Sequence, residues 1–175
     1  MTRQLVSFVS AACLLALLPA STAFAVELPV RKAGLWEMKM VRMGGSMPDM
    51  TMQHCTDATT DKQMSGSFTP GKETCQKQDI QKTATGFVSD SVCGVGGMTI
   101  TSHAEITGDF NSAYTVVTTS HSDKGLTNLR DLTTRIEGKW LGDCKPGQKP
   151  GDVIMPGGFK LNLKDAEKLK APAPK

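Results

Sequence analysis

Short runs that alternate apolar with polar residues, separated by tight-turn residues, constrain this chain more than any other feature. Met98, Ile100, Ser102, Ala104 and Ile106 fall on one side of such a run, and Thr99, Thr101, His103, Glu105 and Thr107 on the other. That is the period of a strand with one buried face. Gly108-Asp109-Phe110-Asn111 follows as a turn signal. Residues 113–121 are dense in β-branched side chains, which suit a pleated surface. Leu132, Thr134, Ile136, Gly138 and Trp140 then alternate with outward Asp131, Thr133, Arg135, Glu137 and Lys139. In this reading His103 faces out, and His121 faces in near a strand end.

The same period appears earlier. Residues 34–42 and 49–55 read as a hairpin around the turn-rich stretch Gly44 to Asp49. Pairing Met40 with Met52 would place Met38 opposite His54 and put both apolar stripes on one side. Asp57 to Met64 reads as a short helix and Gly66 to Lys72 as a loop. Residues 75–82 and 86–94 form a weaker hairpin around Ala84. After Cys144 come Pro146-Gly147, Pro150-Gly151 and Pro156-Gly157, and Asn162 could cap a last helix over 163–170. The sum is mainly β: about seven strands in a single antiparallel meander, strongly curved or closed as a small barrel, with one or two short helices. Tight hairpins exclude a parallel sheet, which needs crossovers. A β-sandwich is the alternative.

The first 25 residues stand apart. Arg3 precedes an apolar stretch from Leu5 to Leu18, and Ala23-Phe24-Ala25 gives a small-x-small site before Val26. This is the pattern of a cleaved secretory signal peptide, with acylation at Cys13 as the rival. The apolar run is shorter than the roughly 20 residues of a spanning helix. Residues 26–165 then make one β-domain, and 166–175, ending Ala-Pro-Ala-Pro-Lys, a disordered tail. The charges are interspersed and the chain carries a net +3, so no field is available to gather nucleic acid or an anionic membrane. No second apolar run offers a transmembrane segment.

Export leaves four cysteines, Cys55, Cys75, Cys93 and Cys144, an even set that implies two disulfides in an oxidising compartment. Cys75 and Cys93 are equidistant from Ala84, which would set them opposite each other in their hairpin. That favours Cys75–Cys93 and leaves Cys55–Cys144. Their spacings fit no zinc pattern and no C-x-x-C is present.

Met38, Met40, Met43, Met47, Met50, Met52 and His54 crowd one stretch. Soft thioethers with an imidazole suit Cu(I), and Met38, Met40, Met50, Met52 and His54 are the candidate ligands. The plainer reading is packing, because unbranched Met fills irregular cores. Catalytic sets are absent from the pattern: no Ser-His-acid or Cys-His arrangement, no G-x-S-x-G and no H-E-x-x-H. Gly66 to Lys72 spells G-x-x-x-x-G-K, but Glu73 stands where Ser or Thr would bind magnesium.

Arg31-Lys32-Ala33-Gly34-Leu35-Trp36-Glu37, Met50-Thr51-Met52-Gln53-His54-Cys55, the run from Ile106 to Tyr114, and the run from Trp140 to Gly147 together resemble the bacterial domain-of-unknown-function 3617 family. The resemblance implies an exported, periplasmic protein of Gram-negative bacteria and implies no activity. The expected function is a non-enzymatic binding or interaction module. Its partner would be a protein or a small apolar ligand, met by a sheet surface that includes Trp36 and Trp140. Periplasmic Cu(I) binding is the first alternative and an unrecognised hydrolase the second.

Overall fold

The structure is a computed structural model and describes residues 26, 28–43, 48–68, 75–125 and 130–168, without the side chains of 65–68 and 166–168. The expected signal peptide, most of the expected tail and the second half of the 66–72 motif lie outside these residues.

The first strands are β1 (Gly34–Met43) and β2 (Met50–Thr56), followed by helix α1 (Ala58–Phe68). A meander follows: β3 (Cys75–Lys82), β4 (Gly86–Val95), β5 (Met98–Asp109), β6 (Ala113–Ser122) and β7 (Asp131–Gly142). The chain then forms β8 (Asp152–Ile154), β9 (Lys160–Asn162) and helix α2 (Leu163–Lys168). All nine strands belong to one sheet in the order β3-β4-β5-β6-β7-β1-β2-β8-β9, and every pairing is antiparallel. The N-terminal hairpin thus joins the meander through β1 against β7. The expected mainly-β meander is observed. The sandwich alternative and full barrel closure are not, because the described residues form one sheet whose edges, β3 and β9, do not pair.

Three details depart from the sequence reading. First, Met40 pairs with Met50, Met38 with Met52 and Trp36 with His54, two residues from the expected register. A slip of two leaves every side chain on its own face, so alternation could not choose between the registers. Second, His121 lies opposite Thr101 and Asp131, on the face away from Ile100 and Leu132. It therefore points out, because Tyr114 and Val116 set the inward parity of β6. Third, β8 and β9 add to the seven expected strands; each is three residues long, too short to carry a readable period.

Local chemistry explains the joints. Gly96 and Gly97 have φ of +58° and +78°, the two positive values of a type I′ turn that matches the strand twist. The β3–β4 turn falls between Ala84 and Thr85, and the Thr83 N–H donates to Gly86 O at 2.8 Å. A bulge between Cys75 and Lys77 absorbs the offset and sets Cys75 opposite Cys93. At α1, Asp57 Oδ1 accepts from the Thr60 N–H at 2.8 Å, while Thr60 Oγ1 accepts from the Asp57 N–H at 2.9 Å. This reciprocal cap makes Asp57 the residue before the helix, which runs on through the start of the expected loop to Phe68. Asn162 Oδ1 accepts from the Lys164 N–H at 3.0 Å at the start of α2. Disulfides join Cys55 to Cys144 and Cys75 to Cys93.

Candidate functional site: an apolar trough with a buried ion pair at its closed end

The inward face of the sheet is built in rows that cross strand after strand. One row runs Phe87, Ile106, Val116, Ile136, Met40, Met50, each residue the direct partner of the next. Below it lies Gly108, Tyr114, Gly138, Met38, Met52. Gly138 is required there, since the Tyr114 ring occupies the space where its Cβ would stand. Above lie Ile80, Ser89, Ala104, Thr118, Thr134, and then Gln78, Ser91, Ser102, Ser120, Leu132.

These rows enclose a cavity of about 560 Å³. It touches Gln78 and Ile80 on edge strand β3 and Met52 on β2, six strands away, so the sheet must curl around it. Leu28, Pro29, Asp61 and Met64 also face it. Met64 of α1 packs with Met38, Met52 and Val153, which covers the β1–β2 side. The residues before β1 cross the bottom. The Lys32 N–H donates to Phe110 O at 2.9 Å, and the Arg31 N–H donates to Asp61 Oδ2 at 2.8 Å. The trough is thereby closed at one end.

Arg31 is the hub of that closed end. Its Nε–H donates to Asp61 Oδ1 at 2.6 Å and its Nη2 to His54 Nδ1 at 3.0 Å; Nη1 reaches Met38 Sδ and Tyr114 Oη, each at 3.4 Å. The guanidinium also lies 5.5 Å from the Trp36 ring centre and 5.9 Å from that of Tyr114. Arginine only donates, so His54 Nδ1 must be the acceptor and the neutral ring carries its hydrogen on Nε2. That Nε2 is buried with no partner among the described residues. Burial, and then the Arg31 charge, lowers the His54 pKa to about 4. Burial likewise pushes the Tyr114 phenol up.

The residues singled out from sequence divide between sites. Met38, Met40 and Met52 face the trough, while Met50 packs beside the Met38–Met52–Met64–Val153 cluster. His54 is wholly buried beneath Arg31. Of the Cu(I) candidate set, His54 Nδ1 and Met38 Sδ both take hydrogen bonds from a guanidinium cation. The structure also corrects the expected Trp surface. Trp36 is 0 % exposed, its ring 5.6 Å from that of Tyr114, and its Nε1–H donates to Lys32 O at 2.8 Å. Trp140 lies outside the trough, in an open groove with Ser112, Tyr114 and Lys139, and the Lys32 ammonium sits 3.5 Å from its ring centre. Cys93 lines the trough, so the Cys75–Cys93 bridge braces its wall.

Arg31 and Asp61 were missed as a pair. They lie 30 residues apart, and only the crossing of the N-terminal segment unites them. On the outer face, His103 Nδ1 is 2.8 Å from Asp90 Oδ1 and His121 Nδ1 is 2.7 Å from Asp131 Oδ1. Each is an exposed pair, and no Ser, Thr or Cys nucleophile bonds either histidine among the described residues.

Fold and site together define a disulfide-bonded domain built on one open, curled antiparallel sheet with an apolar inner face. Residues 31–144 match the family described as "Protein of unknown function (DUF3617)", and the chain belongs to that family. The match starts at Arg31 and ends at Cys144, so it takes in the trough rows, the buried ion pair and both bridges. No curated protein and no solved structure matches the chain. No helix among the described residues is long and apolar enough to cross a membrane.

Proposed function

We propose that the protein is exported to the periplasm and there binds one small apolar molecule in the trough, without carrying out chemistry on it. The observation that carries this reading is the apolar inner face, which has no second layer among the described residues. A sheet normally buries its apolar side under a second layer. Among the described residues α1 and residues 28–33 cover one end, and Ile80, Ile100, Val116 and Ile136 line the cavity without a second layer over them. The volume, about 560 Å³, falls within the roughly 300–1,000 Å³ of small-molecule sites. The leader-like residues 1–25 and the two bridges fit an exported chain.

The test is a titration of the mature protein with N-phenyl-1-naphthylamine, a neutral apolar fluorophore. The wild type should bind it. Val116→Asp, which puts a charge in the central apolar row, should weaken binding at least tenfold while near-ultraviolet circular dichroism stays unchanged. Failure of the wild type to bind, or indifference to Val116→Asp, refutes the reading. The intact mass of the periplasmic protein reports cleavage after Ala25 and the loss of four hydrogens for two bridges; retained copper would revive the metal alternative.

A further inference from the structure

Resting on that reading of the trough, we infer that its ligand is a single-chain amphiphile with an uncharged, hydrogen-bonding headgroup. The chain would lie towards Arg31 and the head would lie among the hydroxyls of β4 to β7. The inference comes from how the rows are ordered. At the closed end the inner face is Tyr114, Met38 and Met52, then the unbroken apolar row from Phe87 to Met50. The next two rows change character together on adjacent strands. Ser89, Thr118 and Thr134 stand with Ile80 and Ala104 in one, and Ser91 and Ser102 with Gln78 and Leu132 in the next.

All five of these hydroxyls face the cavity. None has a side-chain hydrogen-bond partner among the described residues. By contrast Ser120, one strand over from Ser102, donates to Leu132 O at 3.3 Å and is not in the cavity wall. These hydroxyls are reachable from the cavity, His54 Nε2 being the one buried side-chain polar atom without a partner among the described residues, so water can meet them and a hydroxylated head can take its place.

Charge fixes the kind of head. The only charged residues lining the cavity, among those described, are Arg31 and Asp61, and they neutralise each other at 2.6 Å. An anionic, cationic or zwitterionic head would find no counter-charge among these lining residues, whereas the hydroxyls offer hydrogen bonds to an uncharged one. A sugar, glycerol or similar hydroxylated head both donates and accepts, as Ser and Thr do. Length is set by the strands. From the Gly108 row to the Ala104 row is four residues of β5, about 14 Å at the strand rise. That is the reach of a medium alkyl chain.

The experiment compares octyl glucoside, octanoate and octyltrimethylammonium, each kept below micelle formation, as competitors for bound N-phenyl-1-naphthylamine. The glucoside should compete about tenfold better than either charged chain. The paired change Ser102→Ala with Thr118→Val should remove that preference, a loss of about tenfold for two hydrogen bonds, while the fluorophore still binds. Ser91→Ala serves as a lighter second variant and should remove part of the preference. Equal competition by all three chains overturns the inference, as does a preference that survives the substitutions. Stronger competition by octanoate, abolished by Arg31→Lys, would reverse the orientation and also overturn it. If the wild type binds neither the fluorophore nor any chain, the trough itself is not a ligand site and both readings fail.

Discussion

Arg31 is the residue on which the closed end depends. It holds the Asp61 carboxylate, caps His54 Nδ1 and lies against two aromatic rings. Removing one partner of a buried pair leaves the other charge unmatched, at a cost of about 3–5 kcal/mol. Arg31→Ala should therefore lower the stability measured by urea unfolding at pH 7 by that amount. Arg31→Ala combined with Asp61→Asn should recover part of the loss; no recovery would show that the cost is packing and not stranded charge. His54 gives a pH signature. Its pKa moves from 6.5 to about 4 on folding, so between those values the unfolded chain holds a proton that the native ring does not. Stability therefore falls as the pH drops from about 7 towards 4 and this contribution flattens below. The total is about 3 kcal/mol at 1.36 kcal/mol per unit. A His54→Gln variant should lose that portion of the slope, and an unchanged slope would place the titration elsewhere.

At the scale of elements, the two bridges do different work. Cys55–Cys144 has a sequence separation of 89 and Cys75–Cys93 one of 18. Loop-closure entropy gives about 4.6 and about 3 kcal/mol respectively. Replacing both cysteines of the long bridge with Ser should shift the urea midpoint further than the same change in the short one. The reverse order would mean that bracing the β3–β4 edge outweighs chain entropy. The strands themselves were largely legible. Alternation located β1, β2 and β4 to β7 because each has one face turned to the trough and the other to water. It could not locate register, as Met40 shows by facing Met50 and not Met52, because the period-2 signal is blind to a slip of two. Parity was legible where the run was long, as in β5. It failed at His121, where a run of Thr, Ser and Val offers no contrast between faces. β8 and β9 are held by neighbours: Val153 pairs with His54 on one side and Leu161 on the other.

For the molecule as a whole, the residues of the trough were visible in the sequence but the trough was not. Ile100, Ala104, Ile106 and Ile136 were assigned to an inner face, and nothing in their spacing says whether a second layer covers that face. The Met-rich hairpin was legible as an apolar stripe. Its setting was not, because Arg31, from the chain before β1, lies against Met38 and His54. The edges β3 and β9 remain apart, and β3 carries Lys77, Asp79 and Lys82, charges that discourage pairing with another strand.

A closed barrel has its bore fixed by strand number and shear. This sheet has no such constraint, since no ladder of hydrogen bonds joins its two ends. Its girth follows its twist, and a change of twist can be shared across its eight strand pairs. If the trough holds a guest as proposed, a slender one would let the walls draw in and a stouter one would spread them, while the end tied by Arg31, Asp61 and Phe110 would keep its hydrogen bonds.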